Sequence, residues 1–99
     1  MASSIEEKAI SLRLGGIDVS YLFDLGDKIT VGNLMNYNTE RLYDINNSLN
    51  NIIDMYGDLN EHIDQISSER QTQIFLELNK PEGDKEKYLK DLLDQIELN

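Results

Sequence analysis

Eight apolar residues recur between Leu42 and Ile66 with successive spacings of 3, 4, 3, 4, 3, 4 and 3. This heptad pattern is typical of coiled coils and helical bundles, in which the a and d positions form one apolar seam. A single helix on a globular core usually shows a wider stripe and does not keep a 3.5-residue repeat over four heptads. The a positions are Leu42, Leu49, Tyr56 and Ile63, and the d positions are Ile45, Ile52, Leu59 and Ile66.

The residues beside the seam are mostly neutral, whereas a two-stranded zipper usually carries complementary charges there. Ile53 and Met55 also widen the apolar face, and Leu at a with Ile at d favours bundles of more than two helices. We therefore predict an interface that packs against two or more neighbouring helices. Its residues are Leu42, Ile45, Leu49, Ile52, Ile53, Tyr56, Leu59, Ile63 and Ile66.

The seam predicts one long helix over about residues 34–79. This helix makes up the heptad-repeat segment of the chain, residues 33–79. Asn38 or Thr39 is a suitable N-cap, and the polar stretch after Ile66 contains no helix breaker. A helix from Asn38 to the end of this segment would be about 60 Å long at about 1.5 Å per residue. We expect such a helix to be too long to be covered by the rest of the chain, so it would need partner helices.

The C-terminal region predicts a turn and then a short helix. Residues 80–84 contain Pro81 and Gly83, and Asp84 is a suitable N-cap for a helix that begins at the next residue. Apolar residues then mark one face of a helix over about 85–97, within the segment 85–99.

The N-terminal third, residues 1–32, is predicted to be an irregular packing segment. Ser4 and Glu7 have capping-box spacing, which favours a short helix over about 4–14. Two alternatives remain for the residues after this helix. Alternation favours a hairpin of 17–23 with 28–31, whereas a loop or second short helix would place Leu22, Phe23 and Leu25 on the main helix. Either way, the fold class is mainly α in a single domain.

Composition narrows the possible functions. The chain has 99 residues and a net charge of −10, from 19 Asp and Glu against 9 Lys and Arg. Such a chain is a poor direct binder of nucleic acid or of anionic membranes. It has no Cys and one His, so disulfides, thiolate zinc sites and a His-rich metal site within one chain are excluded. No apolar run approaches the roughly 20 residues of a membrane span, and the start is acidic where a signal peptide would be basic. We expect a cytoplasmic protein.

The sequence supports no enzyme, cofactor or metal site. His62 lies beside the seam, and a surface role there is far commoner than catalysis. The spacing of Asp58, Asn60 and Asp64 resembles that of calcium ligands, but the glycine that an EF-hand loop requires is absent and the segment is predicted to be helical.

One stretch of the seam is Tyr56-Gly-Asp-Leu59-Asn-Glu-His-Ile63-Asp64-Gln65-Ile66. It resembles the family of the second subunit of the complex for biogenesis of lysosome-related organelles. The resemblance extends loosely upstream to Asp27-Lys28-Ile29-Thr30, and the Pro81-Glu-Gly segment departs from it. It implies an elongated helical hetero-oligomer that acts in endosome and lysosome trafficking, and it implies no catalytic residues.

Two functions are expected from these features. The first is a non-enzymatic adaptor subunit that assembles through its seam with protein partners, as a homo- or hetero-oligomer. The alternative is a small acidic inhibitor, of phage or mobile-element type, that blocks a basic nucleic-acid-binding site. Salt discriminates them, since only the inhibitor should lose its partner steeply as ionic strength rises.

Overall fold

The computed structural model describes residues 2–23 and 39–97. Within these ranges the chain forms four α-helices, two 3-10 turns and no strand, so the mainly α prediction is confirmed. The helices are α1 (Ala2–Leu14), α2 (Thr39–Glu61), α3 (Ser68–Asn79) and α4 (Lys85–Glu97), and the 3-10 turns are Ser20–Leu22 and Ile63–Gln65.

Helix α2 lies between α1 and α4. Lys8 of α1 donates to the Asn46 side chain at 2.7 Å, and the Tyr56 hydroxyl donates to the Gly15 carbonyl at 3.2 Å. The residue numbers of both partners rise together, so α1 and α2 are parallel. On another side of α2, Asn51 donates to the Glu86 carboxylate of α4 at 2.7 Å.

Every helix contributes to one buried core, together with the segment that comes after α1. Burial of these apolar side chains is the main source of stability, at about 1.5–3 kcal/mol for each large side chain that is fully buried. The buried apolar residues are Ile5, Ala9, Leu12, Ile17, Val19, Phe23, Ile45, Leu49, Ile52, Leu59, Ile66, Ile74, Leu78, Leu89, Leu92 and Leu93.

The single helix predicted over 34–79 is not observed. Helix α2 ends at Glu61, and Ile66 adopts an extended conformation with φ −109° and ψ 132° before α3 begins. In an unbroken helix, Tyr56 and Leu78 would be about 33 Å apart. Instead, Tyr56 binds Gly15, while the Leu78 carbonyl accepts from the backbone N–H of Asp18, only three residues further along. Helix α3 therefore folds back. The predicted start, 34–38, lies outside the described residues.

Local hydrogen bonds explain why the chain breaks between 62 and 67. The Ser67 hydroxyl accepts from the backbone N–H of Arg70 at 3.2 Å and caps α3. The Gln71 side chain donates to the carbonyls of Ile63 and Ile66 at 2.9 and 2.8 Å. These bonds satisfy backbone groups that a helix end leaves without intrahelical partners.

The N-terminal third contains a helix and a tightly packed connection. Residues 20–22 form a 3-10 turn where the hairpin required a strand, Phe23 is fully buried and Leu22 is half-buried. The described part thus matches the alternative in which Leu22 and Phe23 pack on the main helix. Residues 24–32, which include Leu25 and the predicted strand 28–31, lie outside the described residues.

Helix α4 begins immediately after a turn at 80–84, in the range the sequence predicts. Gly83 has φ +99°, a conformation that glycine adopts without the steric cost of a Cβ atom. Asp84 caps α4, since its carboxylate accepts from the backbone N–H of Lys87 at 3.1 Å. No helix in the described residues is both long and apolar enough to cross a membrane.

Candidate functional site

The predicted seam residues lie mostly inside the chain's own core. Ile45, Leu49, Ile52, Leu59 and Ile66 are buried, and Leu42, Tyr56 and Ile63 are partly buried against the same core. Ile53 is 39% exposed. The expectation that the helix is too long to be covered by the rest of the chain is therefore wrong. The seam packs in one core with side chains of α1, α3 and α4, because α3 folds back and the predicted helix of about 60 Å does not form.

The outward side of α2 is acidic. Asp54, Asp58 and Glu61 are exposed and succeed one another at spacings of four and three residues, which places them on one side of the helix. We call these three residues the acidic face. No Lys or Arg occurs in the sequence between Arg41 and Arg70. None of the three carboxylates makes an ion pair with another described residue.

The acidic face is unfavourable for the helix that carries it. Asp58 and Glu61 lie in the last turn of α2, which contains no basic residue. The C-terminal end of a helix carries a partial negative charge, so carboxylates destabilise it there. Gly57 lies between Asp54 and Asp58, and a Cβ atom added to it would meet no atom within 4 Å. Neither the charges nor the glycine is required by the packing of the chain.

His62 comes directly after this face. Its Nδ1 lies 2.9 Å from the carbonyl oxygen of Asp58, as expected for a side chain that closes the end of a helix. In the described ranges, no three or more His, Cys, Asp or Glu side chains are grouped so that they could hold a metal ion.

A buried lysine at the start of α4 joins the N-terminal segment to the C-terminal helices. Lys85 is 1% exposed and donates to the carbonyls of Lys80, Glu82 and Gly83 at 2.7, 3.0 and 3.1 Å. Its ammonium also lies 5.3 Å from the centre of the Tyr21 ring. Burial lowers the pKa of Lys85, while the carboxylate of Asp18 opposes the change.

Tyr21 completes this cluster. Its hydroxyl donates to the Asp84 carboxylate at 3.2 Å and accepts from the backbone N–H of Glu86 at 3.3 Å. Burial raises the pKa of Tyr21 to about 12, and the bond from Glu86 partly opposes that shift. With all donors of Lys85 bound to backbone carbonyls, we assign the cluster a structural role.

Sequence reasoning missed the role of Lys85, although a signal was present. A lysine in the first turn of a helix opposes the helix dipole, so its position after Asp84 required a compensating contact. The acidic face was foreseen only as a solvated surface.

Comparison with known proteins returned no match among family models, curated proteins or solved structures. The resemblance to subunits of the complex for biogenesis of lysosome-related organelles therefore remains a prediction.

Proposed function

We propose that this protein is a non-enzymatic binding module whose acidic face docks on a basic surface of a partner protein. One observation supports this most directly. The apolar seam is already packed within the chain, while Asp54, Asp58 and Glu61 are exposed and make no ion pair with another described residue. Since these carboxylates weaken the helix that carries them, a contact outside the chain is the simplest reason for their arrangement.

The partner surface would be one that otherwise binds nucleic acid, as in the inhibitor that the net charge predicts. Clustered Lys and Arg are the usual feature of such surfaces. Carboxylates presented on a folded helix would compete with phosphates for the same cations. Binding by charge also accelerates association and falls steeply with ionic strength.

The experiment compares two variants with equal charge. Asp54→Asn/Asp58→Asn/Glu61→Gln removes the acidic face, and Glu6→Gln/Glu7→Gln/Asp94→Asn removes three carboxylates elsewhere. Affinity-tagged chains are used to capture proteins at about 0.05 and about 0.5 M NaCl, concentrations that differ strongly in charge screening, and the captured proteins are quantified by mass spectrometry. We expect a basic partner with the wild type and the control, and its loss with the face variant and at high salt.

A second candidate is the adaptor subunit that assembles through the seam. The observation that favours it is Ile53, which remains 39% exposed beside the buried seam. In that case Ile53→Glu would release the partner while the acidic-face variant would keep it. That result would contradict the first proposal, and so would capture that does not change with salt.

A further inference from the structure

A groove lies between the end of α3 and the first half of α4. Its volume is about 290 Å³, at the small end of the range for ligand pockets, so it suits one side chain better than a large molecule. Its lining comes from α3, from the turn at 80–84 and from α4, and consists of Glu77, Glu82, Gly83, Asp84, Lys85, Lys87, Tyr88 and Asp91.

The groove offers an aromatic ring beside carboxylates. Tyr88 and Asp91 are three residues apart and so lie on the same side of α4. Burial raises the pKa of the Tyr88 hydroxyl, the Glu77 carboxylate adds to the shift, and Arg70 and Lys80 oppose it. Four carboxylates and two ammonium groups line the groove, and one of these ammonium groups, that of Lys85, is already bound to three carbonyls.

Glu77 already pairs with a cation of the chain. The Lys80 ammonium lies 3.2 Å from a Glu77 carboxylate oxygen. The two side chains are 52% and 43% exposed, so the pair is weak and an incoming cation can replace it.

We infer that this groove binds an arginine side chain presented by a partner polypeptide. A guanidinium is planar, so it stacks on the Tyr88 ring, and its N–H groups reach a carboxylate in pairs. The ammonium of a lysine is a hydrated point charge. It cannot stack on the ring and at the same time donate a pair of hydrogen bonds to the carboxylate, as a guanidinium can. The inference goes beyond the proposed function, because it concerns a second surface that does not include the acidic face.

The test is an NMR titration of the full ¹⁵N-labelled chain with the blocked peptide acetyl-Ala-Arg-Ala-amide. The control peptide carries citrulline, which has nearly the shape of arginine but no charge. We expect saturable shifts at the amides of Gly83, Tyr88 and Asp91 with the arginine peptide alone.

Three variants sharpen the test. Tyr88→Leu keeps an apolar side chain for folding and should weaken binding about two- to fivefold, as expected for loss of an exposed cation–π contact. Lys80→Gln should strengthen binding, because it removes the ammonium that competes for Glu77. Asp54→Asn/Asp58→Asn/Glu61→Gln should leave the affinity unchanged.

Several results would overturn the inference. These are shifts of equal size with citrulline, no saturable shift at the groove, an unchanged affinity in Tyr88→Leu, or loss of binding in the acidic-face variant. The last result would mean that the peptide responds only to overall charge. Arginine binding in the groove together with partner capture by the acidic-face variant would instead contradict the proposed function alone.

Discussion

Gly57 lies in the interior of α2 on its exposed side, and space is open around it. Glycine in a helix costs about 1 kcal/mol relative to alanine. We therefore expect Gly57→Ala to increase the free energy of unfolding by about 0.5–1 kcal/mol, as measured by urea denaturation. The matched control is Gly16→Ala. Gly16 also has open space but a φ of +99°, so alanine there should destabilise the chain. Loss of stability in Gly57→Ala would show that the helix requires glycine at this position.

Tyr21 should make the fold sensitive to alkaline pH. The pKa of its hydroxyl is about 12 in the folded chain against an ordinary value of 10, so the folded state favours the neutral form. That contribution to stability is complete below about pH 10 and is lost as the pH rises from about 10 towards about 12. Tyr21→Phe should have a smaller loss of stability over this window, as measured by urea midpoints at about pH 9 and about pH 11.

Lys85 changes the pH dependence of stability in the direction opposite to Tyr21. The effect of Tyr21 is therefore measured as the difference between the wild type and Tyr21→Phe. The pKa of Lys85 is lowered by burial, so its own contribution rises as the pH approaches the ordinary lysine value of 10.5. Both proteins keep Lys85, and its effect therefore cancels in the difference between them. Equal slopes for the wild type and Tyr21→Phe would contradict the assignment to Tyr21.

At the scale of elements, the break before α3 depends on a cap. The Ser67 hydroxyl accepts from the backbone N–H of Arg70, and nothing else caps this end among the described side chains. Ser67→Ala should lower the free energy of unfolding by about 1 kcal/mol, as measured by urea denaturation. The neighbouring Ser68→Ala, in the first turn of α3, should have a smaller effect. A larger effect at Ser68 would place the start of α3 one residue later.

The heptad pattern predicted which apolar side chains of α2 are buried, but it could not predict which helices bury them. Ile45, Leu49, Ile52 and Leu59 are buried as the periodicity implies, because a 3-4 spacing always produces one apolar face. The same face can be covered by another chain or by the same chain. That choice depends on the break between 62 and 67, where no proline or glycine marks the helix end. Ser67 and Gln71 instead end the helix and start the next one through side-chain hydrogen bonds, which are a weaker signal in a sequence.

The acidic face illustrates the same limit for the candidate site. The positions of Asp54, Asp58 and Glu61 on one side of a helix are predictable from their spacing alone. Their relation to the helix end is not predictable, because the predicted helix continued to residue 79, about five turns beyond Glu61. Only the observed end at Glu61 brings Asp58 and Glu61 into the last turn, where their charges oppose the helix dipole.

At the scale of the whole molecule, burial of the seam within one chain predicts how the protein unfolds. Leu49 is fully buried in the core, so Leu49→Ala should lower the free energy of unfolding by about 2–5 kcal/mol. The control Ile53→Ala removes a residue of the same predicted interface that is 39% exposed, and it should cost less than about 1.5 kcal/mol. Thermal unfolding monitored by circular dichroism, with light scattering on the same samples, checks both values.

Protein concentration separates a self-contained core from a seam shared between copies. A chain that buries its own seam should unfold at a Tm that does not change from about 5 to about 500 µM, and Leu49→Ala should lower that Tm equally at every concentration. In an assembly of several copies, mass action would raise the Tm with concentration, and the deficit of Leu49→Ala would shrink as concentration rises. Light scattering at the mass of one chain with a constant Tm would assign the seam to the fold. A Tm that rises with concentration would show that copies of the chain share the seam, and partners would then be sought at Ile53 before the acidic face.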